Sequence, residues 1–288
     1  MRELVLTAAS AAAALLAAAA PCTAQTPVCD VLGGGARDLA RRVLASEHPY
    51  ECCDDTIARC LEAVPPAPLA IRLADDVCRR AAAGQDETRI RRALSRRARS
   101  MVGGGEPARV TIDEAAAAGP PGAPVTVAVY ACARCPYCSR LVPELYREVT
   151  VGDLAGSARL VFRTFPIRGH EGSTEAGLAF VAAAAMSRFW EFALYAYARF
   201  DEFAPAAQTQ WAAAIGLDPG AFADRQADPA TREALVESKK EGLANGVEET
   251  PTVFINGRRW VGDLDAGVLA DAIAEEAGRI REELCAAH

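Results

Sequence analysis

The stretch VTVAVYACARCPYCSRLVP, residues 125–143, runs from a β-branched segment into three cysteines and a proline. Val125–Tyr130 reads as a strand, and a helix is predicted over Pro136–Val149, opening inside the cysteine motif. Two Cys-x-x-Cys spacings overlap, Cys132 with Cys135 and Cys135 with Cys138. A zinc knuckle needs about four ligands. The chain has only His48, His170 and His288 and no second Cys-x-x-Cys on a knuckle elsewhere, so no metal is expected. Cys135 falls where unpaired N–H groups and the helix dipole favour a thiolate. Pro136 sits in the first turn, where its missing N–H costs nothing. A low-pKa, exposed sulfur suits disulfide exchange, and a passive cystine gains nothing from it. The segment therefore reads as a redox centre with Cys135–Cys138 as the working pair.

Outward from this motif the layout is mixed. Arg109–Ile112 and Arg159–Phe165 read as further strands, and residues 172–246 as helices broken at Pro205, Gly216 to Pro219 and Pro229. Thr252–Ile255 and Arg259–Val261 form a hairpin across Asn256-Gly257, and a last helix runs from about Asp265 to Leu284. Such an order is α/β around one sheet. Upstream, Gly103-Gly104-Gly105-Glu106-Pro107 reads as a flexible linker. Before it, Asp54–Val64, Leu69–Ala83 and Asp86–Met101 read as three short helices of a Cys-rich module. The arginines of the third, Arg89, Arg91, Arg92, Arg96, Arg97 and Arg99, read as a solvated face, with docking of an acidic partner as the alternative.

The first 24 residues read as a signal peptide: a start with Arg2, an alanine-rich apolar run, then Cys22-Thr23-Ala24, with cleavage before Gln25. A retained anchor or a lipid-modified Cys22 are the rival readings. Nine of the ten cysteines survive that cleavage. In an oxidising compartment such a count implies disulfides, with at least one thiol left over. The net charge of −7 and the lack of a basic excess speak against nucleic acid as a partner.

Strand, CPYC and a helix carrying Pro143 resemble the thioredoxin fold, and more specifically its DsbA-like branch, whose helical insertion follows the third strand. FPIRGHEGSTEAGLAF (165–180), RFWEFALYAYARF (188–200) and GVEETPTVFINGRRWVG (246–262) fit that branch, so the resemblance covers about residues 108–284. It implies that Cys135 attacks, that Cys138 resolves, and that Pro136 and Tyr137 tune the thiolate. It also implies that Thr250-Pro251 is a cis step offering a backbone edge to substrate. Relatives carry acidic residues near the buried cysteine where this chain has Val129 and Cys132, which leaves the proton relay to Cys138 to water. Cys132 is either an inert buried thiol or an auxiliary sulfur competing for Cys135. His170 reads as structural, and Trp190, Phe192, Tyr195 and Phe200 as packing for the insertion.

Residues about 48–101 resemble, more faintly, the CcmH-type helical domain of cytochrome c maturation, through Cys52, Thr56-Ile57, Leu69-Ala70, Leu73, Val77, Gly84, Ile90 and Leu94. That family's first motif cysteine would fall on Pro49, so its chemistry is either lost or moved to Cys53, Cys60 or Cys78. Cys53 and Cys60 on one helix would stand about 10 Å apart, too far for a bond. An antiparallel register around Pro65–Pro68 makes Cys53–Cys78 the expected cystine, with Cys52 as substitute for Cys53.

The expected protein is thus a signal peptide (1–24), a Cys-rich helical module (25–102), a linker (103–108) and a DsbA-like thioredoxin domain (109–288) with its insertion at about 172–246. The expected activity is thiol–disulfide exchange in the periplasm, or another extracytoplasmic space, with no cofactor beyond the Cys135–Cys138 disulfide. Cysteine-containing exported proteins are the expected substrates, apocytochrome c is the candidate client, and a further redox partner is required. The direction of electron flow is open. The alternative is a non-catalytic docking module in cytochrome c maturation.

Overall fold

The computed structural model describes residues 27–285, so the signal-peptide reading, Cys22 and His288 lie outside the described residues. The amino-terminal part folds as α1 (Pro27–Asp30), α2 (Gly34–Leu44), α3 (Ile57–Cys60), α4 (Pro68–Ala82) and α5 (Glu87–Val102). Leu69, Leu73 and Val77 on α4 meet Val43 of α2 and Ile90 and Leu94 of α5 in one buried cluster. Pro68 opens α4 and the Asp86 carboxylate caps α5 by accepting from the Arg89 amide. The helix expected over Asp54–Val64 shrinks to α3, and α2 takes its place in the bundle. GGARDLARRVL, with its glycine start and many arginines, hides an inward stripe of Ala40, Val43 and Leu44.

The second part carries β1 (Ala117–Ala118), β2 (Val125–Ala131), α6 (Cys138–Thr150), β3 (Ala158–Thr164), five insertion helices, β4 (Thr252–Ile255), β5 (Arg258–Arg259) and α12 (Ala266–Ile280). The insertion helices are α7 (Ser173–Ala185), α8 (Phe189–Ala198), α9 (Ala207–Ala214), α10 (Pro219–Ala227) and α11 (Pro229–Ala244). Asp218 and Asp228 cap α10 and α11 directly before Pro219 and Pro229. The sheet order is β1-β3-β2-β4-β5, with β2 parallel to β3 and antiparallel to β4. This is a DsbA-like thioredoxin fold, α/β with a helical insertion.

The alternation of β2 sorts its side chains into two layers. Val125, Val127, Val129 and Ala131 join the main core with Leu141, Val142 and Leu145 of α6 and Leu269 and Ile273 of α12. Ala128 and Tyr130 face the other way, onto Phe165, Val247 and Phe254. The strand expected over Arg109–Ile112 is absent from the sheet. Side chains satisfy that segment instead: the Thr111 amide donates to Glu241 and the Arg109 carbonyl accepts from Asn245.

The flexible-linker expectation is corrected. Residues 103–108 are irregular, but both flanks are tied down. Arg258 donates to the Met101 carbonyl, the Val261 amide donates to Ser100 Oγ, and the Ala108 amide donates to the Gly257 carbonyl. The helical module docks on α12 through a buried ion network. Arg97, 2% exposed, donates to Glu275, itself 0% exposed, and to Asp271 at 2.7 Å. Tyr50 donates to Glu275 at 2.5 Å. Desolvation and the neighbouring carboxylate push the Tyr50 phenol far above its ordinary pKa. Arg97 therefore leaves the solvated-face reading and binds an acidic face of the same chain, whereas Arg89, Arg92 and Arg99 stay exposed.

Cys53–Cys78 is corrected as well. The cystines are Cys29–Cys78, Cys53–Cys60 and Cys52–Cys285. Because α3 begins only at Ile57, Cys53 lies in the preceding loop and its Cα comes within 6.2 Å of that of Cys60. The helical rise that excluded this pair does not apply. Cys52–Cys285 covalently joins the module to the segment after α12.

Candidate active site

β2 ends at Ala131, and two consecutive turns carry the chain into α6. The Cys135 amide donates to the Cys132 carbonyl at 3.1 Å, and the Ser139 amide donates to the Cys135 carbonyl at 3.0 Å. The regular helix starts at Cys138, two residues later than expected, yet Cys135 already accepts its first i→i+4 bond. Pro136 and Tyr137 lie outside on the turn, Tyr137 at 65% exposure with Arg140 over its ring at 5.3 Å.

Cys132, Cys135 and Cys138 are the free cysteines among the described residues. The Cys135 pKa is lowered to about 5, led by a hydrogen bond from the Cys138 thiol. Burial opposes this, and the amides of Cys138 and Tyr137 and the Thr250 side chain reinforce it. Cys138 moves the other way, well above its ordinary value, because it is desolvated and faces the Cys135 sulfur. Two sulfurs one helical turn apart are thus split into a ready thiolate and a reluctant thiol. The exposed sulfur expected at Cys135 is corrected: the residue is only 1% exposed.

Thr250 approaches from the loop before β4. The Thr250–Pro251 peptide is cis. As a thiol, Cys135 donates to the Thr250 carbonyl oxygen at 3.3 Å. The buried Thr250 hydroxyl has no partner in this arrangement, which leaves it available to donate to the sulfur as a thiolate. A groove of about 770 Å³ opens beside these residues, between Tyr137, Arg140 and Glu144 of the α6 side and Glu249, Thr250 and Pro251. Its far wall is Gly262–Ala266. Asp263 in that wall is gripped by Arg80 of α4 at 2.5 Å and by Arg96 of α5 at 3.3 Å. The amino-terminal module therefore fixes one side of the groove, a link that sequence spacing does not reveal.

Cys132 is fully buried and faces His170 Nδ1 at 3.4 Å. The Arg134 amide donates to its sulfur at 3.3 Å, and the Tyr197 hydroxyl donates to its carbonyl. Burial pushes the Cys132 thiol up. His170, read from sequence as structural, is the partner that reading missed; only the fold brings residues 38 apart together. Val129 is a core residue, and the groups acting on Cys138 are Cys135, Thr250 and the Cys132 backbone. Trp190, Phe192 and Tyr197 pack against Phe180 and its neighbours in the insertion core.

A thioredoxin family (Thioredoxin_4) matches residues 111–275. The Na(+)/H(+) antiporter NhaA 3 of Salinispora tropica is 34% identical over 201 residues, 67% of this chain and 30% of that protein. The chain thus spans under a third of that relative's length. Among the described residues no helix is long and apolar enough to cross a membrane. Among solved structures, oxidised BdbD from Bacillus subtilis is 18% identical, with a TM-score of 0.53, covering 59% of this chain and 97% of that one. A thioredoxin-like oxidoreductase from Silicibacter pomeroyi is 25% identical, with a TM-score of 0.48, covering 58% of this chain and 91% of that one.

Proposed function

Since this chain belongs to the thioredoxin family that matches residues 111–275, we propose that it is a thiol–disulfide oxidoreductase acting on cysteine-containing proteins outside the cytoplasm. The observation that carries this reading is the split pair: Cys135 lowered to about 5 and Cys138 held well above its ordinary value. The Cys135 thiolate attacks a substrate disulfide, or its sulfur is attacked when the pair is oxidised. Either way a mixed disulfide forms through Cys135. In the reducing direction Cys138 then attacks the Cys135 sulfur, closing Cys135–Cys138 and releasing the substrate thiolate. In the oxidising direction a second substrate thiol attacks the substrate sulfur of the mixed disulfide, forming the substrate disulfide and releasing the Cys135 thiolate. Thr250 and Pro251 offer their backbone to an extended substrate segment lying in the groove beside them. Two cystines within the amino-terminal part and a third joining it to the segment after α12 support an oxidising, extracytoplasmic location. No cofactor beyond the cysteine pair enters this scheme.

The split also bears on direction. A depressed pKa stabilises the reduced fold fully above the unfolded value near 9, and that contribution falls away as the pH drops to about 5. The disulfide does not titrate. At neutral pH this stabilises the reduced form relative to a pair without the shift, which favours donation of disulfides by the protein to its substrates. Its potential is expected above that of the glutathione pool, about −240 mV. Apocytochrome c remains the candidate client, with the helical module acting on the groove wall rather than as a free tether.

The test is trapping in cells with Cys135→Ser and with Cys132→Ser/Cys138→Ser, in which Cys135 is the one free thiol among the described residues. Mixed disulfides with exported proteins should accumulate on Cys132→Ser/Cys138→Ser and be absent from Cys135→Ser. Adducts on Cys135→Ser instead would overturn the assignment of the nucleophile. Apocytochrome peptides among the trapped species would identify the client, and a set of unrelated exported proteins would remove it.

A further inference from the structure

Cys132 and His170 take no part in the exchange just described, yet they form a thiol–imidazole pair beside it. We propose that Cys132, with His170 as its proton acceptor, is a second resolving thiol that attacks Cys135 when a mixed disulfide stalls. This rests on the reading of Cys135 as the nucleophile.

The backbone sets the reach. Cys132 and Cys135 close a turn through the 3.1 Å bond from the Cys135 amide to the Cys132 carbonyl. The ends of such a turn lie within about 7 Å between Cα atoms, and cystines span about 4.4–6.8 Å. The three cystines of this protein measure 5.2, 4.8 and 6.2 Å. A Cys132–Cys135 bond needs side-chain rotation and leaves α6 in place, because the first helical hydrogen bond uses only the Cys135 carbonyl.

The surroundings supply the chemistry. An inert packing thiol needs no imidazole, and here Nδ1 stands 3.4 Å from the sulfur. His170 is itself part-exposed, so it connects a fully buried thiol to solvent. The Arg134 amide already points at the sulfur, and the positive charges of Arg134 and Lys239 act on it. Tyr197 holds the carbonyl of the same residue. Burial keeps Cys132 a thiol at rest, so it does not compete with Cys135 for substrate. Its turn comes when Cys135 is already in a mixed disulfide.

In that step His170 takes the Cys132 proton and the thiolate attacks the Cys135 sulfur. A Cys132–Cys135 bond forms and the Cys135–substrate bond breaks. The electron pair leaves on the substrate sulfur, which receives the proton from His170. One disulfide replaces another, with no external oxidant.

The experiment uses the full chain and Ellman's reagent, on Cys138→Ser with its active-site thiols reduced and its three cystines verified intact by mass. The Cys135 attack releases one equivalent of thionitrobenzoate and leaves an adduct. Cys138→Ser should then release a second equivalent at a rate independent of protein concentration, ending with a Cys132–Cys135 peptide linkage by mass mapping. Cys132→Ser/Cys138→Ser should stop at one equivalent. His170→Ala/Cys138→Ser should make the second release at least about a hundredfold slower relative to the first, the low end of what a lost general base costs. An adduct equally long-lived with and without Cys132, or a second release untouched by His170→Ala, would overturn the proposal. Absence of the first release would instead overturn Cys135 as nucleophile, so the two failures are distinct.

Discussion

Five cysteines of the helical module and Cys285 form three cystines, three further cysteines cluster at the start of α6, and the two sets differ in what surrounds the sulfur. In the module, Cys29 and Cys78 join α1 to α4 and Cys53 and Cys60 close a loop onto α3. Each of those sulfurs is bonded to its partner, and Cys29 and Cys78 lie in the apolar cluster of the module. At α6 the sulfurs meet polar groups instead: the amides of Tyr137 and Cys138 at Cys135, and the Arg134 amide and the His170 ring at Cys132. The same residue is a staple where it needs only a neighbour, and a reactant where donors stabilise its charge. The ion network repeats the contrast. Carboxylates and guanidinia are concentrated at the docking face of α12, away from the cysteine pair.

The comparison breaks first at the docking face. Arg97→Ala leaves Glu275 buried without its main counter-charge, so it should cost roughly 3–5 kcal/mol in urea unfolding. An Arg97→Met/Glu275→Leu pair should recover most of this, since an apolar replacement removes both desolvated charges. A loss under about 1 kcal/mol for Arg97→Ala would mean the module is not held this way.

Next come the staples. By the chain-entropy argument, removing Cys29–Cys78, which spans 49 residues, should cost about 4 kcal/mol. Removing Cys53–Cys60, which spans 7, should cost about 2.4 kcal/mol. Neither change should alter the alkylation rate of Cys135. Paired serine variants, measured by denaturant unfolding and by alkylation, check both halves.

The smallest effect sharpens the link between the regions. Arg80→Ala releases the groove wall at Asp263. It should lower kcat/KM for a protein substrate up to about tenfold, or about 1.4 kcal/mol, while a small disulfide that does not occupy the groove is handled as before. Equal losses on both substrates would assign Arg80 to global stability alone.

Much of this was legible in the sequence because local signals agreed with the fold. VTVAVY gave its strand through β-branching, Pro219 and Pro229 marked helix starts, and Asn256-Gly257 turned the hairpin with positive φ at both positions. Cys135 was legible from its place before Pro136 at a helix start. What stayed hidden depends on contacts remote in sequence. Ala117–Ala118 has no strand signature and is a strand only by pairing with Leu160 and Val161. Arg97 looks like any other arginine of α5 until Glu275 arrives from 178 residues away. Cystine partners followed spatial neighbours that a three-helix outline misplaced, because α2 was not read as a helix. His170 carries no signal of its own for Cys132, since the loop that delivers it is positioned by β3 and α7.

The central claim is that the fold holds Cys135 as the ready thiolate of the three. Its most direct test is the rate of iodoacetamide alkylation at Cys135 in the reduced, folded protein, followed by peptide mass across the pH range. That rate should rise through a midpoint near 5 and be level at neutral pH, with Cys138 and Cys132 unmodified over the same interval. A midpoint near 9, or modification of Cys138 before Cys135, would contradict it.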